Sequence, residues 1–124
     1  MDQKICLDTD VIIDYLKGHE TKMINSFLDD AEKFIFTTSI NAFELRLRGT
    51  NLNQAENFLS KIYIANFDDF SSRIASDLFK KLKEKGNLID FRDIFIASIC
   101  ISNDAKLFTK NKKHFKRISE LHFV

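Results

Sequence analysis

Residues 91–111, FRDIFIASICISNDAKLFTKN, decide the fold class. The first dozen positions place Ile94, Phe95, Ile96, Ala97, Ile99, Cys100 and Ile101 on nearly every side of a helix. A helix apolar all round is buried in a core rather than laid on a surface. Lys106–Thr109 (KLFT) then reads as a short strand, and polar Lys110 and Asn111 follow it at once. A buried helix leading into a short apolar strand is one step of a parallel β/α arrangement.

The same alternation extends outward in both directions. Residues 4–7 (KICL), 34–37 (FIFT) and 62–65 (IYIA) read as further strands, with a fifth at 121–124. Helical periodicity covers 11–17, 21–33, 52–60 and 69–85, and Ser39 is placed to cap another helix running to Arg48. The expected fold is α/β, with a central parallel sheet of about four to five strands between two helical layers. The three glycines, Gly18, Gly49 and Gly86, each follow a helical segment as C-caps do, and there is no proline. No linker or repeat breaks the 124 residues, so the reading is a single domain over 1–124.

Composition narrows the class. The chain is 44% hydrophobic and 30% charged with a net charge of +1, the balance of a soluble globular protein. No apolar run approaches the roughly 18 residues of a membrane span. The N-terminus, MDQKICLDTD, has no basic-then-apolar leader. A cytoplasmic protein with no membrane association is therefore expected. Cys6 and Cys100 both sit in apolar runs and read as buried free thiols. They and the three histidines show no structural-zinc spacing. One segment is unbalanced: Lys106, Lys110, Lys112, Lys113, Lys116 and Arg117 fall within twelve residues free of acids, an edge suited to a polyanion.

In parallel sheets, functional groups gather just past the carboxyl ends of strands. That rule selects Asp8 and Asp10 after the first strand, Thr38 and Ser39 after the second, and Thr109 to Asn111 after the fourth. Two helical acids join them. Glu44 lies beside an apolar stripe of Ile40, Phe43 and Leu47, where an unpaired carboxylate is costly, unless it is a solvated rim residue. Asp93 opens the buried helix, yet Asp90 already serves as its N-cap, so Asp93 is left without a structural task. Carboxylates crowded together raise one another's pKa unless a cation compensates. Magnesium takes a few carboxylates, waters and substrate phosphate. An acid cluster beside a basic edge thus suits metal-assisted cleavage of a nucleic acid backbone. Asp10 competes for that cluster with a role as N-cap of the first helix, and Asp14, one turn on, is expected to face solvent.

ICLDTDVIIDYL, TTSINAFEL and DFRDIFIASICISNDAKLFTKN, in this order, resemble the successive motifs of PIN domains, and most closely those of the VapC toxins of prokaryotic toxin–antitoxin pairs. The resemblance covers nearly the whole chain. It implies a PIN-like, Rossmann-like three-layer α/β/α fold and a Mg2+- or Mn2+-dependent endoribonuclease. It further implies a homodimer, held inactive by a cognate antitoxin protein. On this resemblance Asp8, Glu44 and Asp93 are the catalytic, metal-holding acids, and Thr9, Ser39 and Thr109 are small hydroxyls that support them. Many PIN domains carry an aspartate where this chain has Asn111. The missing charge puts a firmly held second ion in doubt, with Asp10 as a substitute. Lys110, Lys112, Lys113, Lys116 and Arg117 are the expected RNA contacts, although lysines alone do not distinguish RNA from DNA.

Three other readings stand beside this one. A PIN-type nuclease could act in RNA maturation, and a degenerate PIN module could bind RNA or protein without cutting. ICLDTDV also fits the DxDx[TV] opening of haloacid-dehalogenase-type phosphatases. Those enzymes need a later acidic pair after a strand, where this chain has Thr109-Lys110-Asn111.

Overall fold

Five parallel strands form the centre of the molecule, in a computed structural model that describes residues 3–124. In chain order the elements are β1 (Gln3–Leu7), α1 (Thr9–Leu16), α2 (Thr21–Asp29), β2 (Lys33–Thr38), α3 (Ser39–Leu47) and α4 (Leu52–Leu59). They continue with β3 (Tyr63–Ala65), α5 (Asp69–Glu84), α6 (Phe91–Ser102), β4 (Lys106–Phe108), α7 (Lys112–Phe115) and β5 (His122–Phe123). The sheet order is β3-β2-β1-β4-β5. β1 is therefore central, with Ile5 opposite Ile35 of β2 and Leu7 opposite Phe108 of β4. The chain winds outward from β1 through β3, then crosses over to β4. The reversal between β1 and β4 is the switch point at which open parallel sheets build their sites.

Side chains alternate along each strand and feed two cores. Ile5, Leu7 and Ile35 pack with Val11, Ile12, Ile24, Leu45 and Phe58 on the face covered by α1 to α4. Cys6, Phe36 and Leu107 pack on the opposite face with Leu78, Ile96, Ile99 and Phe115. The three-layer α/β/α expectation holds, fifth strand included. Cys6 and Cys100 are both buried and unbridged. Burial, and then a hydrogen bond with Cys100, push the Cys6 thiol well above its ordinary pKa.

Three local expectations change. The helix read over 21–33 stops at Asp29. Thr38, not Ser39, caps α3: its side chain accepts from the Asn41 N–H, and the Asn41 side chain answers the Thr38 N–H in a capping box. Ile40, Phe43 and Leu47 do not form the core stripe of α3, since Phe43 is 52% and Leu47 64% exposed. Asn41, Ala42 and Leu45 face inward instead. A buried asparagine displaced the apolar residues from the inner face, and periodicity read on hydrophobicity alone could not register that.

Leu107 sits wholly inside the second core, on β4 beside the switch point. Leu107→Ala is expected to cost about 2–5 kcal/mol, read from the midpoint of a urea unfolding curve at unchanged slope.

Candidate active site

Asp8 is the residue at which β1 becomes α1. Its N–H donates to Phe108 O at 2.9 Å, extending the β1·β4 ladder by one step. The side chain turns inward and is only 7% exposed. It stands at the N-cap position of α1 without making a side-chain cap bond. Its oxygens are taken from two sides instead. The Thr109 hydroxyl, just past β4, donates to Oδ2 at 2.6 Å, and Asn41 Nδ2, from the first turn of α3, donates to Oδ1 at 2.9 Å. Burial raises the Asp8 pKa, these hydrogen bonds oppose the rise, and the Glu44 charge adds to it.

The other acids close around the same point. Glu44, one turn after Asn41 on α3, accepts from the Thr9 hydroxyl at 2.7 Å, and its second oxygen lies 3.6 Å from Arg92 Nη1. Asp93 stands in the first turn of α6, whose N-cap is Asp90 as expected. Its carboxyl is pushed up to about 6, chiefly by burial and then by the charges of Asp8, Asp90 and Glu44. Asp10 is not an N-cap: it lies in the first turn of α1 and accepts from Lys110 N at 3.4 Å. Its pKa is also raised, by burial and by Asp8. Asp14 is ion-paired with the Lys110 ammonium instead of facing solvent alone. Asp8, Thr9, Asp10, Ile13, Glu44, Asp93, Lys110 and Asn111 line one open cleft of about 350 Å³.

Three of the supporting hydroxyls and amides are in place. Thr9 bonds Glu44, Thr109 bonds Asp8, and Asn111, at the margin of the cleft, has its N–H held by Thr109 Oγ1 at 2.9 Å and its side-chain amide 3.3 Å from His114 Nδ1. Ser39 is not among them, because its hydroxyl accepts from Phe67 N at 3.3 Å. Of the basic residues only Lys110 lines the cleft. Lys112 reaches Val124 O and the Phe123 ring, Arg117 donates to Leu88 O, and Lys113 and Lys116 make no ion pair among the described residues. Two members escaped the sequence reading. Arg92 was passed over between Asp90 and Asp93, although a cation between acids is itself a signal. Asn41 was signalled only by its place three residues after Thr38, the capping-box spacing.

The donor set of this cleft is oxygen throughout, the chemistry of a hard divalent cation. Among the described residues, no three His, Cys, Asp or Glu side chains converge closely enough to enclose a metal ion. Asp8 is held back by Thr109 and Asn41, and Glu44 by Thr9 and Arg92. The arrangement fits an ion that keeps most of its water and meets one or two carboxylates directly, as magnesium does. It does not resemble a closed structural site.

Known proteins share this framework. The PIN domain profile matches residues 5–121. Ribonuclease VapC1 of Methanocaldococcus jannaschii is 31% identical over 123 residues, spanning 96% of this chain and 84% of that protein. Ribonuclease VapC2 of Rickettsia felis is 30% identical, spanning 93% and 92%. In three dimensions the chain matches the crystal structure of VapBC2 from Rickettsia felis bound to a promoter DNA fragment, with a TM-score of 0.87 at 28% identity over 98% of each chain. That the acids past β1, on α3 and at the head of α6 lie within so extensive a match removes the phosphatase reading: the chain belongs to the PIN domain family.

Proposed function

We propose that this protein is a Mg2+- or Mn2+-dependent endoribonuclease and the toxin of a VapBC-type pair. The observation that carries the reading is the convergence of Asp8, Asp10, Glu44 and Asp93 on one cleft at the β1/β4 switch point. The names of its ribonuclease VapC relatives support the substrate. Asp8, Glu44 and Asp93 would hold the ion, one or two of them directly and the rest through its waters, with Asp10 and Asn111 at the margin. Once bound, the ion supplies positive charge to a phosphodiester and lowers the pKa of a water.

The chain's own groups prepare for this. Thr109 and Asn41 fix both oxygens of Asp8, so that only their remaining lone pairs face the cleft. Thr9 aims Glu44 in the same way. Among the described residues Asp93 accepts no side-chain hydrogen bond, and burial first, then the charges of Asp8, Asp90 and Glu44, raise its pKa, a cost that an arriving cation would relieve. Arg92 and Lys110 flank the cleft, each resting on a carboxylate, and can turn toward a substrate phosphate.

A second surface supports the antitoxin partner. A groove of about 480 Å³ runs between α1, α2 and α4, lined by Tyr15, Leu16, Asn25, Leu28, Phe58 and Ile62 among others. Its lining mixes apolar side chains with polar ones such as Asn25 and Gln54, a combination suited to an amphipathic helix. The solved neighbours include VapBC2 of Rickettsia felis, and another is described as a member of the VapBC family of toxin–antitoxin systems. The exposed Phe43 and Leu47 on α3 similarly offer an apolar face to a second copy in a homodimer.

Cleavage of structured RNA that requires magnesium or manganese should fall at least about a hundredfold in Asp8→Asn and in Asp93→Asn, the scale of losing a transition-state electrostatic partner. Full activity in either variant, or no metal-dependent cleavage by the wild type, would sink the nuclease reading. Without metal, Asp93 binds its proton more tightly folded than unfolded, so stability is lost as pH rises through about 6. Lowering the pH from 7 to 5 should therefore stabilise the metal-free protein by about 1 kcal/mol, discounted for solvent screening. Asp93→Asn should reduce that slope in denaturant titrations, leaving the share of Asp8 and Asp10, and an unchanged slope would place the titration elsewhere. For the groove, the operon-encoded partner should co-purify with the wild type and bind Leu28→Glu about tenfold or more weakly, with RNA cleavage by the isolated variant unaltered.

A further inference from the structure

Asn41 is wholly buried, yet every hydrogen-bonding atom of its amide is used. Oδ1 accepts from the Thr38 hydroxyl at 2.6 Å and from Thr38 N at 3.3 Å. Nδ2 donates to Asp8 Oδ1 and to Thr9 Oγ1, each at 2.9 Å. An asparagine amide offers two donors and two acceptors, and here all four are engaged. The orientation is therefore fixed, because a flipped amide would set its oxygen against the Asp8 carboxylate.

One further step follows from proton counting. Thr9 has a single hydroxyl proton. Asn41 fills an acceptor position on that hydroxyl, so the proton is left for Glu44, to which it donates at 2.7 Å. Asn41 thus reaches two acids at once, Asp8 directly and Glu44 through Thr9. A cap for α3 needs only the Thr38 half of this network, which the Asn41 backbone N–H and Oδ1 already supply. The Nδ2 half does nothing for the cap.

We infer that Asn41 is a positioning residue of the metal site, whose single amide nitrogen sets Asp8 directly and Glu44 through the Thr9 hydroxyl. The inference rests on the metal-dependent reading above and adds a residue and a relay to it. Groups that orient metal-binding side chains typically govern affinity by about 10–100-fold when removed.

The test is a double-mutant cycle on Mn2+ affinity, measured by calorimetry on the full chain without RNA, with urea stability followed in parallel. Asn41→Leu keeps the volume and removes the amide, and Thr9→Val removes the relay hydroxyl. Each should weaken Mn2+ binding about tenfold or more, Asn41→Leu at least as much as Thr9→Val, and the double variant should be no weaker than Asn41→Leu, since the Glu44 path that Thr9→Val cuts is already cut at Asn41. If Asn41→Leu does not fold, Asn41→Ser takes its place: its hydroxyl can pair with Thr38 and is too short to reach Asp8. Wild-type Mn2+ affinity in a destabilised Asn41 variant, or losses that multiply in the double variant, overturn the inference alone. A wild type that binds no Mn2+ overturns the metal reading and this inference with it.

Discussion

Asp8 ties the molecule together at the one place where the sheet changes direction. Its backbone N–H still belongs to the β1·β4 ladder, while its carboxylate accepts from Thr109 beyond β4 and from Asn41 on α3. A single buried charge thereby bridges both strands of the switch point and the helix that follows β2. Burying that charge without partners would be prohibitive. The two donors make it tolerable and fix where α3 sits relative to β1. Once α3 is placed, Glu44 comes to Thr9, and once β4 is placed, Lys110 and Asn111 come to the rim.

This constraint explains which parts of the protein were legible in its sequence. The β/α alternation was readable because buried parallel strands are continuously apolar and α6 is apolar nearly all round, signals that tertiary context does not reverse. Asp93 was readable for a related reason: a carboxylate inside such a helix, with Asp90 already capping it, has no structural use. Glu44 was found by an argument that the structure overturns, because the stripe it was set beside is exposed. It survives as a cleft residue through Asn41, one turn earlier, which holds the inner face of α3. Asn41 was hidden because polarity counts against burial in any periodic reading. Only its four fixed hydrogen bonds, two with Thr38 at the head of its own helix and two with Asp8 and Thr9 at the end of β1, make the inside position favourable. Ser39 shows the converse error. Its place just after β2 matches the rule for site residues, yet in the first turn of a helix a shift of two positions turns a side chain through more than half a circle, and its hydroxyl meets Phe67 N.

The cleft is also a place where stability is given up. Asp8, Asp10 and Asp93 all have raised pKa values, and for each the largest cause is burial. The surface acids behave in the opposite way: Asp14, Asp30 and Glu56 are lowered by their Lys or Arg partners. A fold selected for stability alone would have paired the inner acids as it paired the outer ones. It has instead left Arg92 at 3.6 Å from Glu44 while bonding Asp90 more closely, and has paired Lys110 with Asp14 at the rim. Both cations lie within side-chain reach of the acids without neutralising them.

That half-measure bears on the missing fourth acid. With aspartate at position 111, another negative charge would enter a cleft where Asp93 already resists ionisation near pH 6. Asparagine keeps an oxygen at the rim without that charge, and its N–H is fixed by the same Thr109 hydroxyl that holds Asp8. Asp10 stands nearby, but its carboxylate accepts from Lys110 N and its own pKa is raised by Asp8. On the proposed metal-dependent reading, the cleft would give full charge to one ion more readily than to two. On that reading a second ion at the rim would need negative charge from outside the protein, the charge that a phosphodiester backbone would bring between Lys110 and Arg92.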